Sequence, residues 1–161
     1  MTTNNPVVIA RIDHVNIVVQ SMERSVIFYQ DVLGLTKGFE GVLRGDWIDS
    51  VTGIQGAEAV CVFMESHGVP VRLELLEYRS PLGEAIEGAS LPNTHGIRHL
   101  AFVVSDLDAF YHRAKSAGAA FVSPPVTVPF PLPGGLRKRL CYFHDPDGVL
   151  LEAAEYRDGG E

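Results

Sequence analysis

Two stretches, Ile12-Asp13-His14-Val15-Asn16-Ile17-Val18-Val19 and Ile97-Arg98-His99-Leu100-Ala101-Phe102-Val103-Val104, superimpose as apolar strands with a histidine at the third position of each. Each runs directly into a helical pattern. The first helix is expected over Ser21 to Leu33 with Gly34 just past its end, and the second over Ser105 to Ala117 with Gly118 in the same place, where a left-handed residue closes a helix. Ser105 with Asp108 reads as a capping box. Val26, Tyr29, Val32 and Leu33 in one helix, and Leu107, Phe110, Tyr111 and Ala114 in the other, recur at three- and four-residue steps. Each helix therefore has one apolar stripe to pack on a sheet.

A second internal match closes each half: Leu73-Glu74-Leu75-Leu76-Glu77-Tyr78 aligns with Leu151-Glu152-Ala153-Ala154-Glu155-Tyr156 as L-E-x-x-E-Y. Further strands are expected near Gly38 to Leu43 and Ala57 to Met64 in the first half, and near Ala119 to Val122 and Leu136 to Phe143 in the second. The order is βαβββ, twice. A period of about 80 residues is too long for a solenoid repeat, so the pattern predicts an α+β fold made by duplication of a module. The expected organisation is an N-terminal arm (1–10), a first module (11–78), a connector (79–95), a second module (96–157) and a tail (158–161). The connector is long for a structureless loop, and a short helix is expected around Leu82 to Ile86.

The chain has 161 residues, of which 46% are hydrophobic and 20% charged, enough to bury a core in one compact unit or two small, closely fused modules. A net charge of -7 offers no basic field for phosphates, so nucleic acid is excluded as an expected partner. No run approaches the roughly 18 to 20 apolar residues of a membrane span, and Met1 to Pro6 is polar and unlike an export signal, so a cytoplasmic location is expected. Cys61 and Cys141 lie in apolar strands without a CxxC spacing and read as reduced core thiols.

Chemistry concentrates in the repeats. His14 and His99 hold equivalent positions in the first strand of each module, and Glu74 and Glu152 equivalent positions in the last. Side chains on a strand alternate faces, so one ligand on the concave face of each of four strands can converge on a point. A glutamate in an apolar strand is costly to bury as an anion, and a divalent cation with neutral imidazoles removes that cost. Histidine and carboxylate suit zinc, nickel, cobalt, manganese or iron alike, so one divalent ion is expected with its identity open. His95 and His99 form an H-x-x-x-H spacing, but Gly96 and the strand after it argue against a helix there. His67, His112 and His144 read as surface or loop residues, and Asp145-Pro146-Asp147-Gly148 as a turn whose carboxylates carry no chemistry. Trp47, in Gly45-Asp46-Trp47-Ile48-Asp49, and Phe130, in the proline-rich stretch from Pro124 to Gly135, sit in expected loops able to cover a site and bind substrate. Arg72, two residues before Glu74 and so on its face, could meet an acidic substrate, and Arg137, Lys138 and Arg139 form the one basic cluster.

The D-H-V opening strand, the H-x-A-F-x-V-x-D-L-D start of the second module and Phe143-His144-Asp145-Pro146-Asp147-Gly148 before L-E resemble sequences of the vicinal-oxygen-chelate superfamily, which includes glyoxalases, bleomycin-resistance proteins and extradiol dioxygenases. The resemblance covers roughly residues 11 to 157. It implies paired βαβββ modules forming an open cup with helices outside, and, as in glyoxalase I and methylmalonyl-CoA epimerase, a metal held by His14, Glu74, His99 and Glu152. It further implies a lyase or isomerase acting on a small carbonyl substrate through an enolate, with Glu152 as first choice of base and Glu74 as second. The alternatives it leaves are an extradiol-type dioxygenase using His14, His99 and Glu152, and a metal-free drug-binding protein. A homodimer is expected, because curved sheets of this kind leave edges and apolar surface to be covered by pairing. Neither a glutathione nor a coenzyme A site is legible.

Overall fold

The computed structural model describes residues 9–88 and 91–159, so the start of the expected arm, residues 89 and 90 of the connector and the end of the tail lie outside the described residues. The first repeat folds as β1 (His14–Val18), α1 (Met22–Asp31), β2 (Thr36–Arg44), α2 (Asp46–Thr52), β3 (Glu58–Glu65) and β4 (Arg72–Ser80). The second folds as β5 (His99–Val103), α3 (Leu107–Ser116), β6 (Ala120–Phe121), β7 (Val126–Thr127), β8 (Arg137–His144) and β9 (Leu150–Arg157). One sheet has the order β1-β4-β3-β2 and the other β5-β9-β8-β6, with β7 also on β8. In each, the first strand runs parallel to the last, β1 to β4 and β5 to β9, and the other pairings are antiparallel. The two open sheets are the duplicated α+β fold that the repeats predict, and neither closes into a barrel.

The local chemistry explains the helices. Ser21 caps α1 by accepting the N–H of Arg24, and Gly34, at φ 70°, donates to Gln30 O and turns the chain out of the helix. The cap of α3 differs from expectation. Asp106 accepts the Ala109 N–H at 2.9 Å, so the Ser105–Asp108 capping box does not form and Asp108 pairs with Arg139 instead. Asp106 has the three-residue spacing that places its carboxylate over the first free N–H groups.

Two further expectations are corrected. The segment around Trp47, expected as a loop, is α2: Ile48 is buried beneath it, and the Asp49 carboxylate accepts the N–H groups of Gly56 and Ala57 at 2.7 and 2.8 Å. Conversely, no helix forms around Leu82 to Ile86, where the two apolar side chains are 76% and 79% exposed; a single turn with no buried face has nothing to offset the cost of nucleation. Among the described residues no helix is long and apolar enough to cross a membrane.

Cross-strand partners share a face, so the register assigns the layers. Val15, Ile17, Leu73, Leu75, Val62 and Met64 of the first sheet, and Leu100, Phe102, Leu151, Ala153, Cys141 and Phe143 of the second, pack with α1 and α3 in one core spanning both modules. A polar latch reinforces that junction. In the turn between β8 and β9, Asp145 accepts the Tyr29 hydroxyl of α1 at 3.0 Å and the N–H groups of Asp147 and Val149 at 2.9 and 2.8 Å. Asp147 in turn takes Gln20 N, Ser25 Oγ and the Arg24 guanidinium. These carboxylates hold the modules together, a role the reading of a plain turn missed.

Candidate metal centre

His14, Asn16 and Glu74 lie on the sheet face opposite the core, because Asn16 pairs with Glu74 in register and His14 is two residues before Asn16. His14 Nε2 is 3.4 Å from Glu74 Oε2, which also accepts Asn16 Nδ2 at 3.1 Å. The buried Cys61 thiol donates to Glu74 Oε1 at 3.7 Å; burial, and then the negative charge of Glu74, push that thiol up to about 11. On the other side of the imidazole, His14 Nδ1 contacts Asp13 Oδ2 at 2.9 Å, which fixes the ring with Nε2 toward Glu74. The His14 contact, and then the Arg72 guanidinium donating at 2.6 Å, hold the Asp13 carboxyl down at about 2. Arg72 stacks 4.3 Å from the centre of the Phe63 ring, which also makes a near-perpendicular contact with the His14 ring, centroids 5.6 Å apart.

The second module repeats the pair in a different setting. His99 Nε2 is 3.3 Å from Glu152 Oε2, and the His99 ring packs 5.2 Å from that of Tyr142, the register partner of Glu152. Glu152 is the more buried glutamate, its side chain 4% exposed against 17% for Glu74. Its Oε1 lies 2.6 Å from Lys138 Nζ, a close charge contact without the direction of a full hydrogen bond. The Glu152 carboxylate raises the Lys138 pKa above its ordinary value. The buried carboxylate in the second module thus has a counter-charge from the chain itself, which the argument from apolar strands did not anticipate.

The four expected ligands form two pairs. Within the described residues of one chain, no three His, Cys, Asp or Glu side chains come close enough to hold an ion, so convergence of all four on one point is not reached in the single chain. Each pair nevertheless fits half of a donor set. Two bonds of about 2.1 Å at a tetrahedral angle separate their donor atoms by about 3.4 Å, the spacing found in both pairs. Asn16 and His99 line the same cleft of about 350 Å³ where β1 faces the start of β5.

Trp47, on α2, and Phe130, between β7 and β8, are 55% and 59% exposed. His67 and His112 are exposed as expected, whereas His144 is half-buried at the end of β8. Gly96, at φ 118°, breaks the H-x-x-x-H spacing as expected, and Cys61 and Cys141 are free buried thiols. The residues that sequence reasoning missed are Asp13, Asn16, Tyr142 and Lys138. Asn16 was signalled by being polar two places after His14 in an apolar strand; Lys138 becomes a partner of Glu152 only once the β8–β9 register is known.

The family model described as Glyoxalase/Bleomycin resistance protein/Dioxygenase superfamily matches residues 11–153. The uncharacterized protein YwbC of Bacillus subtilis is 28% identical over 142 residues, 88% of this chain and 94% of that protein. A protein named glyoxylase I 4 from Arabidopsis thaliana is 25% identical over 152 residues, 92% of this chain and 72% of its own length. The crystal structure of a glyoxalase family protein from Bacillus cereus superimposes with a TM-score of 0.82 at 27% identity, covering 97% of this chain and 98% of that one.

Proposed function

Because the chain belongs to the glyoxalase/bleomycin resistance protein/dioxygenase superfamily, we propose that it is a cytoplasmic, divalent-metal-dependent lyase or isomerase of the glyoxalase type acting on a small carbonyl compound. The observation that carries this reading is the matched pair of His–Glu contacts, 3.4 and 3.3 Å, at equivalent places in the two modules. In this reading the chain is a homodimer, and His14 and Glu74 of one copy with His99 and Glu152 of the other hold the ion. The exposed Ile86, Ile97 and Val103 around β5 give the second copy an apolar surface to cover.

When bound, the ion acts as a Lewis acid that polarises the substrate carbonyl and acidifies the neighbouring C–H. The chain's own groups do the rest. Asp13 orients His14, and Arg72, which spends one donor on Asp13 and stacks on Phe63, turns the remainder of its fork toward an acidic group of the substrate. We place Glu74 ahead of Glu152 as the base, the opposite of the order expected from the sequence. Glu152 has Lys138 at one oxygen and His99 at the other, whereas Glu74 is less buried and is met by neutral donors, so Glu74, although also a ligand, would be the one to loosen from the ion and take the proton, and Glu152 would stay a ligand.

A second reading, a metal-free binding protein, is favoured by one observation: Lys138 already neutralises Glu152. Elemental analysis of protein purified without chelator distinguishes the two. About one divalent ion per chain supports the enzyme; none under any loading condition leaves the binding protein.

A further inference from the structure

The two half-sites match in position but not in charge. Glu74 and Tyr78 of β4 correspond to Glu152 and Tyr156 of β9, and through their register partners Phe63 corresponds to Tyr142 and Ala59 to Lys138. Where the first module buries an alanine, the second carries an ammonium group 2.6 Å from the buried Glu152 carboxylate. Lys138 also has somewhere else to go. Its side chain is 19% exposed, and its Nζ lies 5.6 Å from the centre of the Tyr156 ring, an aromatic face one step outward that can hold a cation.

The geometry points to Lys138 as a resident counter-cation on Glu152 Oε1 that opposes a divalent ion at Oε2, the oxygen beside His99, and that yields by withdrawing toward Tyr156. This inference rests on the proposed ligand pair His99 and Glu152. An ammonium and a divalent ion sharing one carboxylate repel each other at close range in a half-buried site, enough to change ion affinity by about tenfold or more. Among the described residues Glu74 has no such competitor: it is met by Asn16, Cys61 and His14. The His14–Glu74 pair is therefore the one that captures the ion, and the His99–Glu152 pair closes on it.

The test is calorimetric titration of the chelator-stripped full chain with zinc chloride and with manganese chloride, for wild type, Lys138→Met and Lys138→Arg. Lys138→Met keeps the stem and removes the charge, and is expected to bind at least about tenfold tighter. Lys138→Arg keeps the charge and is expected to stay within about threefold of wild type. In the absence of ion, Lys138→Met is also expected to melt below wild type, and added ion to remove that difference. If Lys138→Met fails to fold by circular dichroism, Lys138→Gln takes its place. Equal affinity in wild type and Lys138→Met, or tightening in Lys138→Arg as well, overturns the inference and leaves the metal site standing. Binding in Lys138→Met but not in wild type upholds the inference and removes the metal from the natural protein. Binding in neither overturns both.

Discussion

Glu74 and Glu152 are the same residue type in matched strands, yet their neighbours give them different work, and an isosteric substitution separates the roles. An amide still ligates through its oxygen but cannot accept a proton. Glu74→Gln is expected to retain the ion by elemental analysis and to lose exchange of the substrate C–H with solvent deuterium, followed by NMR. Persistent exchange would make Glu74 a ligand alone. At the same scale, Asp108 offers a pH-dependent contact remote from the metal ligands. Arg139 holds it with a two-pronged contact of 2.7 and 2.8 Å and keeps its carboxyl below the usual carboxylate value. The folded pKa lies below the unfolded value of about 3.9, so the contribution to stability is complete above that pH and disappears as the pH falls through the folded value. The melting temperature of Asp108→Asn should sit slightly below wild type at neutral pH and converge with it in strong acid. A gap that widens on acidification would contradict the assignment.

The latch in the β8–β9 turn sets the element-scale expectation. Burial pushes the Asp145 carboxyl up, yet the group stays because both oxygens are used: one accepts two backbone N–H groups and the other the Tyr29 hydroxyl. Asp145→Ala leaves those donors buried without an acceptor and should cost about 2 to 3 kcal/mol, lowering the melting temperature by about 5 to 10 °C. Asp145→Asn keeps an acceptor oxygen and should cost less than half as much. Equal losses would mean that the charge, and not the hydrogen bonding, matters. The strands and the two long helices were legible because alternation and three- to four-residue steps report burial directly. α2 was not, since one buried residue, Ile48, makes no period. The cap of α3 was misread because Ser105, Asp106 and Asp108 are all capping types, and only the backbone at Asp106, φ -145° and ψ 102°, says which one turns into the helix.

For the whole molecule, the legible part of the site was which residues share a face, and the illegible part was where the two sheets stand relative to each other. The repeats matched His14 with His99 and Glu74 with Glu152, and alternation put a ligand on one face of each strand, but which histidine meets which glutamate depends on strand register, and distances between pairs depend on how modules or copies dock. A mixing experiment reads that arrangement. His14→Ala and His99→Ala should each abolish ion binding alone, because each breaks every site in its own dimer. If a site joins the first module of one copy to the second module of the other, subunit exchange between the variants restores one intact site in each mixed dimer, about a quarter of all sites. Sites built within one chain would restore none. Sedimentation should show a dimer at micromolar concentration, and monomer alone would contradict the shared site.

The latch also constrains how two copies can come together. The turn that carries Asp145 and Asp147 leads straight into β9 and Glu152, and it is bolted to α1 of the same chain through Tyr29, Ser25, Arg24 and Gln20. A module cannot trade places with its counterpart in another chain without tearing these contacts and opening the common core. Two finished monomers can still meet surface to surface. Subunit exchange should therefore take place under native conditions without any melting of the chain, at a rate governed by the interface and not by unfolding.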